Sequence, residues 1–187
     1  MARPLSDDKR NAILEAAIHV IAAQGLSAPT ATIAKQAGVA NGSLFTYFAT
    51  KADLWNALYV ELKTEVAEAS GEGLSAVDPK AALRQALSGW LGWAIKQPER
   101  RRALALLGTS EELTTDSLRA GHAVMAPLAQ LIERCRANGP MRNTALGFVT
   151  ALMTATADAT IDFIQNDPAN ADLHARTGFE ALWRMIA

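Results

Sequence analysis

The sequence predicts an all-α protein of about nine helices, and three observations predict it. Apolar residues recur at three- and four-residue spacing along most of the 187 positions. Alternation of the strand kind is scarce, with alanine abundant and β-branched runs short. Gly and Pro fall mainly between the periodic segments. No internal repeat or low-complexity tract interrupts the pattern.

The elements follow in order. Ser6 with Asp7 and Asp8 reads as an N-cap followed by acids in the first turn, where the helix dipole favours them. Ile13, Leu14, Ala17, Ile18 and Ile21 fall on one face of that helix. Gly25 ends it, with Leu26 free to fold back. Two short helices, Thr30 to Ala37 and Asn41 to Phe48, come before a longer one from Lys51, whose start is marked by the box-like pair Thr50 and Asp53. Leu54, Leu58, Leu62 and Val66 give it an apolar stripe. Ser70-Gly71-Glu72-Gly73 is the best boundary, which divides the chain into a head at 1–69 and a body at 74–187. Asp78-Pro79 opens a helix carrying Leu83, Leu87, Trp90, Leu91 and Ile95, and Pro98 opens another ending near Gly108. From about Thr115 to Ala137 one helix is expected, kinked by Gly121 and Pro127. Gly139-Pro140 closes it. A long Ala- and Thr-rich helix then runs to about Asn166, and Asp167-Pro168 separates it from the last.

Hydrophobic residues at 50 % and charged residues at 20 % are the composition of a folded globular chain. No stretch approaches the roughly 18 apolar residues of a membrane span, so no membrane role is expected. The first residues, with Arg3, Lys9 and Arg10 and no apolar run, carry no secretory pattern; a cytoplasmic address is expected. Cys135 is the single cysteine, which excludes an intrachain disulfide and a multi-cysteine metal site. His19, His122 and His174 are scattered without ligand spacing, so neither metal nor cofactor is expected. The Arg100-Arg101-Arg102 run reads as a solvated helix face.

The net charge of −1 is unevenly distributed. Residues 1–51 hold five basic residues against three acidic ones, a net +2, and the remainder is −3. Such a head can bind DNA with few phosphate contacts per subunit.

The informative stretch is Ile33-Ala34-Lys35-Gln36-Ala37-Gly38-Val39-Ala40-Asn41-Gly42-Ser43-Leu44-Phe45-Thr46-Tyr47-Phe48. Two helices of two turns bury little by themselves and must pack tightly. Ala34 and Ala37 allow close approach, Gly38 supplies a left-handed turn, and Val39 plugs the elbow. Leu44 and Phe48, four apart, face inward. Asn41, Gly42, Ser43, Phe45, Thr46 and Tyr47 are left outward, with no acid among them, a face suited to a DNA major groove.

These residues, with Lys51 and Leu54 after them, resemble the tetracycline-repressor (TetR) family of bacterial regulators over about residues 6–62. The resemblance implies a helix-turn-helix at about 29–48 and a linking fourth helix. It implies contacts to double-stranded operator DNA from Thr30, Asn41, Gly42, Ser43, Thr46, Tyr47 and Lys51. Two positions depart from the family pattern. Phe45 stands where Tyr is usual, so its ring is left to pack on a thymine methyl or a sugar. Ala40 stands where Ser or Thr often caps, so Asn41 is the expected cap.

The resemblance further implies a homodimer whose last two helices pair with their symmetry mates, a palindromic operator, and a repressor released by a small molecule. Ala145, Ala151, Ala155 and Ala159 supply a small-residue stripe for close helix contact. Trp90, Trp93, Met125, Phe148 and Met153 are the expected lining for a small apolar effector. The competing reading is a helical dimer that binds a small molecule or a protein without DNA. An enzyme is not expected: no nucleophile–base pairing, phosphate loop or metal cluster is present in the sequence.

Overall fold

The computed structural model describes residues 6–71, 74 and 77–187. Among them are ten α-helices, one 3-10 turn and no strand: α1 (Asp7–Gln24), α2 (Thr30–Gln36), α3 (Asn41–Tyr47), α4 (Lys51–Ser70), α5 (Pro79–Lys96), α6 (Pro98–Leu107), α7 (Thr115–Val124), α8 (Ala126–Arg136), α9 (Leu146–Asn166) and α10 (Ala171–Ile186), with the 3-10 turn at Pro168–Asn170. The all-α class holds, with one helix more than expected. The predicted kinked helix over 115–137 is two helices broken at Met125. Pro127 lies at the start of α8, and its ring is incompatible with continuing the turn before it. Gly121 causes no break and is buried within α7.

Two compact units form, Met1–Lys63 with Gln97–Ala123, and Thr64–Lys96 with Val124–Ala187. The expected boundary at 70–73 falls partly on Glu72 and Gly73, and Arg3 belongs to the charge count of the head; all three lie outside the described residues. Helices α6 and nearly all of α7 group with the N-terminal helices.

In the first unit α1 is the central element. Ile13, Leu14, Ala17, Ile18 and Ile21 are buried, as the periodicity requires, and α1 packs on both α2 and α6. Ile33 and Ala34 of α2, Leu44 of α3 and Leu54, Trp55, Leu58 and Leu62 of α4 complete the core, with Ala103 and Leu107 from α6. Gly25 ends α1 at φ 78°, where a side chain would be strained. Ser6 stands at the N-cap of α1 with extended backbone but makes no side-chain cap, contrary to expectation. Polar clasps tie α6 to α1. Arg100 donates to Glu15 and His19 meets Glu99, so Arg100 is engaged rather than simply solvated. Asn56, buried on α4, holds the loop after α6. Its Nδ2 donates to Ala52 O at 2.7 Å and Glu112 O at 2.9 Å, and its Oδ1 accepts from Thr114 N at 2.8 Å.

The second unit packs α5, α8, α9 and α10 around Leu83, Leu87, Leu91, Leu131, Ile132, Val149, Met153, Ile161, Phe179 and Leu182. Asp78 caps α5 as expected, accepting from Lys80 N at 2.9 Å. Gly178 of α10 meets Thr160 of α9 so closely that a Cβ would stand 2.2 Å from Oγ1, so the approach of these two helices requires glycine. Arg136 is buried at the end of α8. It donates twice to Glu133 and once each to the carbonyls of Met141 and Thr144, fixing the turn that leads into α9. His174 meets Asp167 at 2.9 Å across the turn between α9 and α10.

Candidate nucleic-acid interface

The elbow between α2 and α3 is built from few parts. Ala37 ends α2, and Gly38 turns the chain at φ 68°. Val39 N then returns a hydrogen bond to Ala34 O at 3.0 Å. A residue with a Cβ reaches that φ only under strain, so the turn and the angle between the two helices depend on glycine here. The residue before α3 is Ala40, in extended conformation, and it receives the hydrogen bonds of Ser43 N and Leu44 N at its carbonyl. Asn41 is therefore the first helical residue and not the cap, which leaves its side chain free for other contacts.

Leu44 and Phe48 are buried and anchor α3 by one side. The opposite side carries the residues expected there. Asn41, Gly42 and Thr46 are exposed, Ser43 and Tyr47 are half-buried, and Phe45 is 41 % exposed, a large apolar ring left in water on a two-turn helix. Thr30, half-buried, opens α2.

Two side chains are held in place by neighbours. Tyr47 Oη accepts a hydrogen bond from Ser6 N at 3.3 Å, satisfying an amide at the start of α1 and leaving the phenolic proton to donate. Lys51 Nζ lies 5.4 Å from the centre of the buried Trp55 ring. Among the described residues Lys51 has no carboxylate partner. A cation in the first turn of a helix opposes the dipole, so its value at this position lies outside the helix. The start of α4 is otherwise fixed by the expected box: Asp53 N donates to Thr50 Oγ1 at 3.0 Å, and Thr50 N donates to Asp53 Oδ2 at 3.0 Å. Arg10 sits over Phe48 at 5.6 Å and faces Glu61 at 3.6 Å, whereas Lys9 and Lys35 are exposed and have no ion pair among the described residues. The face thus presents hydroxyls, an amide, one ammonium and the rings of Phe45 and Tyr47. Hydroxyls, amides and ammonium groups are of the kind that can donate to phosphate and base edges.

The residues expected to line an effector site distribute unevenly. Trp90 and Trp93 are half-buried against the core of the second unit, which includes Met153. Trp93 Nε1 donates to Glu65 Oε2 at 3.1 Å, a partner to which the periodicity does not point. Met125 sits at the break before α8. Phe148 stands apart, 58 % exposed on α9, turned away from buried Val149 and Met153. It shares its exposure with Phe163 at 63 % and with Ala151, Ala155 and Ala159; Ala145 precedes the helix as its N-cap. Leu173 of α10 is 48 % exposed. Among the described residues no group of three His, Cys, Asp or Glu side chains could hold a metal ion, and no helix is long and apolar enough to cross a membrane.

Residues 13–58 match the family model described as bacterial regulatory proteins, tetR family. The whole chain is similar to a putative tetR family transcription regulator from Shewanella sp. PV-4, with 27 % identity over 94 % of this chain and 96 % of that one and a TM-score of 0.81. A TetR family transcription regulator from Marinobacter aquaeolei VT8 superposes with a TM-score of 0.84 at 22 % identity, covering 97 % of this chain and 96 % of that one. The transcriptional regulator FadR from Bacillus subtilis, solved in complex with stearoyl-CoA, has the same fold, with a TM-score of 0.69 at 20 % identity over 95 % of this chain and all of that one (100 %).

Proposed function

We propose that the chain is a TetR-family transcription regulator, a reading supported by the match of residues 13–58 and by the likeness in fold, and that it is a cytoplasmic repressor that binds a palindromic operator as a homodimer and leaves it when a small molecule binds. The observation that carries the proposal is the two-sided character of α3. Leu44 and Phe48 fix it from within, and an acid-free face of Asn41, Gly42, Ser43, Phe45, Thr46 and Tyr47 turns outward. In this reading α3 enters the major groove. Asn41 and Ser43 reach base edges, Phe45 packs on a thymine methyl, and Thr30, Gly42, Thr46, Tyr47 and Lys51 meet sugar and phosphate.

One such head, with so few cations, has too little phosphate contact for specific affinity, whereas two heads on one duplex have enough. The exposed stripe of α9 supports the dimer. Phe148, Ala151, Ala155, Ala159 and Phe163 form an apolar, small-residue face that a monomer would leave in water. In the dimer this face and α10 pair with the same helices of a second copy. Two half-sites about one DNA turn apart, in inverted orientation, follow from that symmetry.

The effector reading rests on Trp90, Trp93, Met125 and Met153, whose aromatic and thioether groups suit an apolar ligand. FadR was solved in complex with stearoyl-CoA, whose long acyl chain is apolar. A gel shift against the DNA upstream of the protein's own coding sequence, at two salt concentrations, tests the proposal. Specific binding that weakens with salt is expected; binding indifferent to sequence or to salt would reject it.

A further inference from the structure

Helix α3 is seven residues long, and it is anchored inward by Leu44 within it and Phe48 at its C-cap. Its start is set by the chain itself, through Gly38 at φ 68° and the return of Val39 N to Ala34 O. Its end has no such turn. Phe48 leaves the helix in extended backbone, its N donating to Leu44 O at 3.0 Å. What holds that end comes from α1. Ser6 N donates to Tyr47 Oη at 3.3 Å. One turn on, the Arg10 guanidinium lies 5.6 Å from the centre of the Phe48 ring and faces the Glu61 carboxylate of α4 at 3.6 Å. A single side chain of α1 therefore reaches both the end of α3 and the middle of α4, and all of these residues belong to the first unit.

The chemistry of Arg10 allows two roles. Its side chain makes no hydrogen bond among the described residues, so its N–H donors are open to a phosphate. Against that role, the guanidinium is already laid over a ring and set against a carboxylate, and the pair with Glu61 carries no net charge with which to displace counterions from DNA. Both partners are partly exposed, so these contacts add little to the stability of the fold. Their value lies in angle. A helix of this length is about 10 Å long, and a tilt of about 10° moves one end by about 2 Å. Hydrogen bonds to base edges do not survive such a shift, whereas the attraction between the head and phosphate charge does.

We infer that Arg10 is a positioning residue for DNA reading: through the Phe48 ring and Glu61 it fixes the tilt of α3, and it does not itself bind phosphate. The inference rests on the reading of α3 as the DNA-reading helix, and it adds the group that sets the angle of that helix. Loss of Arg10 then lowers affinity for the operator but not for unrelated DNA.

The test compares the native chain with Arg10→Ala/Glu61→Gln, in which the brace is removed at constant net charge. Binding is measured at several salt concentrations on the inverted repeat that the native protein selects from a random pool and on a scrambled duplex. One exposed cation–π contact is worth about threefold per head, so two heads on one operator should lose about tenfold in the ratio of specific to unspecific affinity. Affinity for the scrambled duplex and the slope of log K against log salt should stay as in the native protein. Arg10→Lys, which keeps the charge but not the flat guanidinium, should retain only part of the ratio. Amide exchange on the free proteins gives a second readout: the Phe48 amide should lose protection in the double variant, while the amides in the middle of α1 keep theirs. An unchanged ratio, a slope flattened by about 1 per head, or a Phe48 amide as protected as in the native chain overturns the assignment. A native protein that selects no duplex would reject the regulator reading instead, and the Phe48 amide would still decide whether Arg10 holds the end of α3.

Discussion

Replacing Asn56 with Leu should loosen the first unit at one identifiable place. The Asn56 amide is 8 % exposed and links α4 to the segment between α6 and α7 through Glu112 O and Thr114 N, with further bonds to Ala52 O and Thr114 Oγ1. Leucine keeps the volume but removes all four. Glu112 and Thr114 are exposed, so water replaces part of what they give up. The cost then falls near the net worth of two to three hydrogen bonds, about 1–3 kcal/mol. In a chain of this size that is a fall in Tm of about 3–10 °C. Asn56→Asp should cost at least as much, because it sets a carboxylate against the carbonyls of Ala52 and Glu112. Amide hydrogen exchange is the discriminating assay. Protection of the Thr114 amide should drop in Asn56→Leu, which has no acceptor, and be better kept in Asn56→Asp, whose carboxylate still accepts from it, while the amides of α1 change only with global stability. Full protection of Thr114 in Asn56→Leu would refute the reasoning.

Lys51→Ala should weaken operator binding and flatten the plot of log K against log salt by about 1 for each phosphate left without its cation, with circular dichroism unchanged. Gly38→Val, which forces a β-branched residue to positive φ, should lower Tm as well as DNA affinity, and a scanning calorimetry trace identical to native would contradict this. Phe163→Asp on the exposed face of α9 should shift the sedimentation coefficient from dimer to monomer at micromolar concentration. Glu180 accepts from Lys80 at 3.2 Å and Arg84 at 2.8 Å, and these hydrogen bonds and charges, Lys80 first, hold its carboxyl below the usual range. Its contribution is therefore present above the ordinary carboxylate pKa and lost as pH falls through the depressed one. The Tm gap between native and Glu180→Gln should be open at pH 7 and close below about pH 4.

The head is legible in the sequence because its signals are local. Gly25 and Gly38 announce turns that need positive φ, Thr50 and Asp53 close their own box, and Leu44 and Phe48 declare their face by a spacing of four. The cap of α3 is not legible, because Ala40 fills that position through its backbone carbonyl alone, and a missing side-chain cap leaves no mark in sequence. Met125 breaks the chain between α7 and α8 without any glycine or proline of its own; the cause is Pro127, and a kink overestimates how much of the turn survives. Asn56 and Glu65 escape the sequence for a different reason. Asn56 bonds to residues 56 and 58 positions away, and Glu65 to one 28 away. No periodicity reports such pairings. An asparagine and an aromatic on the apolar side of α4 are the available hints. Phe148 shows the limit of composition: an aromatic at helical spacing suits a pocket and an outer face equally, and the side of α9 it occupies is set by its phase relative to Val149 and Met153.

The central claim is that α3 reads DNA, and the most direct test is selection of bound duplexes from a random-sequence pool, with native protein and Phe45→Glu compared. Phe45 is exposed, so the substitution leaves the core intact while placing a carboxylate where phosphate and bases would lie. The native protein should enrich one inverted repeat with half-sites about one turn apart, and the variant, equally folded, should enrich nothing. Equal enrichment by both proteins, or none by the native protein, would contradict the account.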